Sequence, residues 1–98
     1  MIVFEDEARA VLERILQFNA ERDPPTAIEH LHRIREAVLI LDDHPEIGRA
    51  VAGLPLRELV ISHGSSGYIA LYEYVRMQNE VRVVAIRHQR ESGHGRTP

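Results

Sequence analysis

Apolar residues recur along this chain with two different helical spacings. From about residue 7 to residue 22 they form one stripe at helical intervals, and from residue 27 to residue 41 they step alternately by four and three positions. The second spacing is typical of a helix that packs lengthwise on another helix. The stripes consist of Ala8, Val11, Leu12, Ile15 and Leu16 in the first segment and Ala27, Leu31, Ile34, Val38 and Leu41 in the second. The pattern therefore predicts two amphipathic helices.

The junction between these helices is marked by the sequence Asp23-Pro24-Pro25. Proline lacks a backbone N–H and is tolerated only in the first turn of a helix, so Asp23 is predicted to cap a second helix that starts at Pro24. Thr26 and Glu29 also fit a capping box, which would start this helix three residues later. With either start the connection is short, and it predicts an antiparallel helical hairpin.

Short β-type runs stand on both sides of the helical hairpin. Alternation and β-branched or aromatic content predict strands at residues 1–4, 56–63, 68–75 and 81–88. Residues 44–55 hold two prolines and two glycines and are predicted to form a structured loop, and residues 89–98 form a polar tail. The chain is thus predicted to be one α+β domain over residues 1–98. Its predicted order is β-α-α-β-β-β, with the hairpin on a small, mostly antiparallel sheet.

The strand predicted at residues 68–75 has no polar face. Side chains alternate in a strand, so Tyr68, Ala70, Tyr72 and Tyr74 face one way and Ile69, Leu71 and Val75 face the other. Two helices cover only one face of a sheet. The other face therefore lies under the loop and the tail, or meets a partner. Along the last strand and its continuation, Arg82, His88 and Arg90 share one parity and Arg87 has the other.

The amino-acid composition excludes several kinds of catalytic and metal site. All 12 cationic residues are Arg, and the chain has no Lys and no Cys, which excludes lysine Schiff bases, phosphate-loop lysines, disulfides and thiolate metal sites. We expect no cofactor and no metal, since His63 and His88 lack an acidic ligand at metal-binding spacing. The longest apolar run, residues 37–41, is far shorter than the ~20 residues that span a membrane. We expect no membrane partner and, since no leader is recognised, a cytoplasmic protein.

Charge is distributed unevenly along the chain. Residues 1–46 carry eleven acids and five Arg, whereas residues 47–98 carry four acids and seven Arg. One interpretation is that solvated helices simply hold more Asp and Glu. The other is that the C-terminal half presents a cationic surface to an anion, a nucleic acid or an acidic partner.

Four residues near predicted strand ends form the candidate cationic site: Arg57, Arg87, His88 and Arg90. Arginine offers a planar, permanently charged fork that suits phosphate or carboxylate, and histidine titrates near neutral pH. The alternative is that these residues pair with acidic side chains of the same strands and protect exposed strand edges.

Four segments, at residues 44–49, 56–59, 67–72 and 85–91, resemble the RelE/ParE superfamily. Its members are toxins of type II toxin–antitoxin systems. The resemblance runs from the first strand to about Gly93. The proline-glycine loop and the Arg-His-Gln-Arg-Glu end of the last strand look most like the ParE branch, whose members are often labelled plasmid-stabilisation proteins.

The superfamily contains two mechanisms, and the resemblance implies a choice between them. RelE-type members cut mRNA on the ribosome, and their strand motif has an Arg where this chain has Ile69. Arg90 matches a second Arg of that branch, but residues 91–98 hold no matching Tyr. If the chain is a nuclease, Arg57, His88 and Arg90 are its catalytic candidates, although an arginine is too basic to act as the proton-transfer base. The departures leave no catalytic residue assigned and favour a protein that is not an enzyme.

The resemblance therefore implies a ParE-like toxin that inhibits growth by binding DNA gyrase. It also implies a cognate antitoxin with a ribbon-helix-helix DNA-binding dimer and a disordered C-terminal segment, which neutralises the toxin in a hetero-oligomer. The apolar groove for this segment is assigned to Val11, Ile69 and Leu71. The acidic side chains of the segment are expected to contact the candidate cationic site. The alternatives are a RelE-like, ribosome-dependent mRNA interferase and a degraded, non-toxic binding module.

Overall fold

The computed structural model describes residues 1–63 and 66–88, including all of their side chains except those of residues 18–21, 62, 63 and 66. Five strands and two long helices follow one another along the chain. They are β1 (Ile2–Phe4), α1 (Asp6–Arg22), α2 (Pro24–Asp43), β2 (Arg49–Ala50), β3 (Arg57–His63), β4 (Ser66–Val75) and β5 (Glu80–His88), with a 3-10 turn at Arg76–Gln78 before β5.

The strands form a single sheet in the order β1-β5-β4-β3-β2. β1 runs parallel to β5, and every other pair of neighbours is antiparallel. This confirms the predicted α+β layout. The loop prediction for residues 44–55 was wrong at Arg49–Ala50, which pair with Glu58 and Arg57 as the short edge strand β2. Two residues are too few to produce a readable alternation, so only the pairing in space identifies this strand.

The helical hairpin begins its second helix at the first of the two predicted positions. The Asp23 carboxylate accepts a hydrogen bond from the Thr26 N–H at 3.4 Å and another from the Thr26 hydroxyl at 2.5 Å. Asp23 is therefore the N-cap, and Pro24 and Pro25 occupy the first turn, where no intrahelical donor is required of them. Thr26 lies inside the helix instead of capping it.

The apolar stripes of both helices pack on the same face of the sheet. Burial is greatest where this layer meets the central strands, at Ala8, Ile34, Val38, Leu41, Ile61, Tyr68, Ala70, Tyr72, Val81, Val83 and Ile86. The predicted alternation in β4 is confirmed, because Tyr68, Ala70 and Tyr72 are buried there. We call the opposite side of the sheet, which carries Ile69 and Leu71, the open face.

A β-bulge changes the alternation along β5. Leu71 pairs with Ala85 and Tyr72 pairs with Val83, so one extra residue of β5 lies between them. Arg82 and Arg87 consequently share the open face, although an unbroken strand would have placed them on opposite faces. The shared face that the parity of Arg82 and His88 predicts was therefore wrong. His88 lies on the helix side of the sheet, whereas Arg82 lies on the open face.

Candidate partner-binding surface

The open face carries an apolar strip across its three central strands. Ile69 pairs in register with Val60 on β3 and with Arg87 on β5. Leu71, two residues further along β4, pairs with Glu58 and Ala85. Val60 is 48 % exposed, and Ile69 and Leu71 are half-buried. The strip offers apolar contact next to charged side chains.

Most of the arginines near this strip form ion pairs with acidic side chains. Arg82 donates from Nε to Glu80 at 2.7 Å and lies 3.9 Å from Glu5, while Arg49 contacts Glu58 at 3.0 Å. The hydrogen bond and charge of Glu80 raise the pKa of Arg82 above its usual value. Arg87, in contrast, is exposed and makes no ion pair with any residue of the described part of the chain. It is a cation available to a partner beside Ile69.

Arg57 has a different environment from the other members of the candidate cationic site. Its Nη1 donates a hydrogen bond to the Gly48 carbonyl at 2.8 Å, and it pairs in register with Tyr72 on the helix side of the sheet. β3 and β5 run in the same direction, so the start of β3 and the end of β5 lie at opposite ends of the sheet. From four residues along the strands and two strand spacings, Arg57 lies roughly 16 Å from His88. The structure does not bring Arg57 together with Arg87 and His88.

Gly48 is held at this end of the sheet by a second hydrogen bond. Its N–H donates to the hydroxyl of the fully buried Tyr72 at 2.8 Å. A Cβ atom at Gly48 would lie 2.6 Å from that hydroxyl oxygen and 2.7 Å from the carbonyl oxygen of Glu58. Burial raises the pKa of Tyr72, and the Gly48 hydrogen bond and the charge of Arg57 offset part of this effect. Arg57 and Tyr72 thus fasten the proline-glycine loop to the sheet.

His88 lies on the helix side, so β5 directs it and Arg87 to opposite faces. Its ring makes an edge contact with Tyr68, with 5.2 Å between ring centroids. The Tyr68 hydroxyl lies 3.3 Å from Nδ1 of His30 on α2, and burial raises the pKa of Tyr68. Sequence reasoning missed His30 as a member of this cluster. The available signal was its position three residues after Ala27 and four before Ile34, at the margin of the buried stripe.

The residues assigned to the antitoxin groove do not form one surface. Val11 is half-buried and packs against the core beneath the helices. Ile69 and Leu71 lie on the opposite side of the sheet, because alternate residues of β4 fill the core. Arg90, the fourth member of the cationic site, lies outside the described residues, as does the predicted tail.

Comparison with known proteins identifies the family. The model of the family described as "ParE toxin of type II toxin-antitoxin system, parDE" matches residues 2–93. The chain belongs to the ParE toxin family. A solved structure described as a chromosomal ParDE toxin–antitoxin system from P. aeruginosa has a similar fold, with a TM-score of 0.71 at 19 % sequence identity. The match covers 88 % of this chain and 91 % of that one. No curated protein matches the chain.

The family model identifies a type II toxin of the ParE branch, as the resemblance implied. Within the described residues no helix is long and apolar enough to cross a membrane, and no three His, Asp or Glu side chains come close enough to hold a metal ion. The open face of this ParE-family chain offers Ile69 and Leu71 for apolar contact and Arg87 for an acidic group. Such a surface is suited to binding a macromolecule.

Proposed function

We propose that this chain inhibits growth by binding DNA gyrase in the cytoplasm, without chemistry of its own, and that a cognate antitoxin neutralises it. The observation that carries the proposal is the position of Ile69. The RelE-type branch has an arginine at this position, whereas here an aliphatic side chain lies on the open face between Val60 and Arg87. An aliphatic group cannot stabilise the charge that develops on a phosphate during cleavage.

The environments of the other nuclease candidates support the same proposal. Arg57 hydrogen-bonds to Gly48 and lies far from His88 along the sheet. His88 packs edge-on against Tyr68 on the helix side. General acid–base cleavage needs these groups within hydrogen-bonding reach of one phosphate. We therefore favour inhibition by binding, with Arg87 and the apolar strip as contact residues.

The antitoxin is inferred from membership in a toxin–antitoxin family and from the arginines that the sheet of this chain exposes. A ribbon-helix-helix protein with a disordered, acidic and apolar C-terminal segment suits a toxin whose sheet carries exposed arginines. The two chains would form a hetero-oligomer. Co-expression with the product of the adjacent open reading frame, followed by co-purification, tests this part of the proposal.

The target is tested with purified toxin in two parallel assays. One measures gyrase supercoiling and the accumulation of gyrase-cleaved DNA, and the other measures mRNA cuts in a translating system. We expect gyrase inhibition and intact mRNA. Site-specific mRNA cuts without an effect on gyrase would contradict the proposal and favour the interferase that uses Arg57, His88 and Arg90. Normal growth under induced expression would instead indicate a non-toxic binding module.

The contact residues are tested by growth arrest in the absence of antitoxin. We expect Arg87→Ala to weaken the arrest at matched expression level, because it removes the cation beside Ile69. Arg33→Ala is the matched control, since Arg33 is an exposed arginine on α2 whose partner is Glu29 of the same helix. Equal growth arrest in both variants would remove Arg87 from the proposed target surface.

A further inference from the structure

Two charged side chains of opposite sign lie on the open face, and neither forms an ion pair with any described residue. Arg87 is exposed near the end of β5. Glu73 is half-buried near the end of β4 and is on the open face, because the preceding Tyr72 fills the core. The other charged side chains of this face form ion pairs within the chain, namely Arg82 with Glu80 and Glu5, and Arg49 with Glu58.

Arg87 and Glu73 lie at opposite ends of the open face. Arg87 is in register with Ile69, which precedes Glu73 by four residues on β4. Four residues of strand and one strand spacing separate the Cα atoms of Arg87 and Glu73 by roughly 14 Å. Leu71 lies midway between Ile69 and Glu73 on the same face. Each charge therefore lacks a partner in its own chain, although the opposite charge is present on the same face.

This arrangement is complementary to a copy of itself turned end for end. A two-fold axis near Leu71, lying along the face and perpendicular to the strands, would place the Arg87 end of one copy over the Glu73 end of the other. Symmetry makes the two contacts equivalent, so one rotation forms two ion pairs between the chains. An axis parallel to the strands would instead bring both Arg87 side chains to the same end, where like charges oppose association.

The apolar strip supplies contact between the charged ends. Val60 is 48 % exposed, and Ile69 and Leu71 are half-buried. The rotation would place the two strips face to face, and the removal of their apolar surface from water favours association. A strip that spans three strands and about five residues measures roughly 10 by 13 Å, which is small beside the interfaces of permanent dimers. We therefore expect a weak dimer.

Other occupants fit this face less well than a second copy does. Residues 89–98 contain no Val, Ile, Leu, Met, Phe or Tyr, so they offer little apolar contact to Ile69 and Leu71. A nucleic-acid backbone would meet the carboxylates of Glu58, Glu73 and Glu80 on the same face, and these repel phosphate. A second copy presents both an apolar strip and a matching charge at each end.

We infer that two copies of this chain associate through their open faces, with Leu71 near the two-fold axis and reciprocal Arg87–Glu73 ion pairs at the two ends. The inference goes beyond the proposed function and does not require it. One consequence does rest on the proposed function. The dimer covers Arg87 and the apolar strip, so self-association and binding of the target exclude each other, and association would hold the toxin in an inactive form.

Sedimentation equilibrium of the purified full chain, without gyrase or antitoxin, tests the inference by charge reversal. We expect the wild type to show a monomer–dimer equilibrium. Arg87→Glu and Glu73→Arg each put like charges at both contacts and should raise the dimer Kd about tenfold or more. The double variant exchanges the two signs and should return Kd to within about threefold of wild type. The control Arg33→Glu, on α2 and paired with Glu29, should change Kd by less than about twofold.

A second measurement needs no variant. Raising the salt concentration from about 0.05 M to about 0.5 M screens the ion pairs and should weaken the wild-type dimer. The inference is overturned by a wild-type chain that stays monomeric at its highest soluble concentration, or by a dimer that is equally tight at both salt concentrations. It is also overturned if folded single variants dimerise as wild type does, or if the folded double variant stays as weak as the single variants. These samples contain no gyrase, so a negative result leaves the proposed function standing, and a toxin without effect on gyrase leaves the dimer standing.

Discussion

Replacing Tyr72 by Phe tests whether one buried hydroxyl holds the proline-glycine loop on the sheet. The hydroxyl accepts the Gly48 N–H at 2.8 Å, and its side chain is fully buried. The substitution keeps the aromatic ring and removes only the acceptor. The Gly48 N–H then remains buried without a partner, since Gly48 itself is buried.

The expected cost follows from the desolvation of that N–H. A buried donor left without an acceptor lowers the free energy of unfolding by about 1–3 kcal/mol. For a domain of this size each 1 kcal/mol lowers Tm by about 4–8 °C. Urea denaturation measures the effect directly, and with a slope near 2 kcal/mol/M a loss of 2 kcal/mol lowers the midpoint by about 1 M. The slope itself should not change, because the surface exposed on unfolding is nearly the same.

Tyr74→Phe is the matched control. Its hydroxyl donates to Asn79 at 3.4 Å in an exposed setting, where water replaces the lost contact, so we expect a change below about 0.5 kcal/mol. Equal stability of Tyr72→Phe and Tyr74→Phe would refute the reasoning, because it would mean that water reaches the Gly48 N–H. A change in slope for Tyr72→Phe would indicate that the loop already detaches in the native state.

Three further predictions concern other parts of the fold. Gly48→Ala should lower the free energy of unfolding by about 1–3 kcal/mol, because its Cβ would meet the Tyr72 hydroxyl oxygen at 2.6 Å; an unchanged Tm would contradict this contact. Asp23→Ala should cost about 1 kcal/mol through loss of the N-cap, whereas the control Asp43→Ala, at the other end of α2, should not destabilise the chain. Since burial raises the pKa of both Tyr68 and Tyr72, the folded state keeps protons that the unfolded chain releases. The contribution of these two tyrosines to stability should therefore be constant below pH ~10 and be lost as the pH rises further. The loss should be smaller in Tyr72→Phe, and denaturation at several alkaline pH values measures both.

Sequence patterns were sufficient for both helices and for four of the five strands of this fold. The helical spacing of residues such as Ile34 and Val38, and the alternation around Tyr72, both reflect side chains that must leave water on one side of their element. The cap at Asp23 was also predicted, because capping is a contact between residues three apart. These features are local, so a single sequence contains them.

The candidate site was predicted less well, because its geometry depends on pairing between strands. The sequence contains Arg57, Arg87 and His88 but does not show that β3 and β5 run in the same direction, which separates Arg57 from the other two. The bulge opposite Leu71 is also invisible in the sequence, and it moves Arg87 to the face that carries Ile69.

The sequence by itself contained the four short motifs that carry the resemblance to the family. Residue types and local periods also determined the order of every element except β2 and the chemistry that the chain cannot perform. Only the tertiary structure decided which cations are engaged and which are available. An ion pair or a hydrogen bond depends on distances between residues far apart in the chain, as between Arg57 and Gly48.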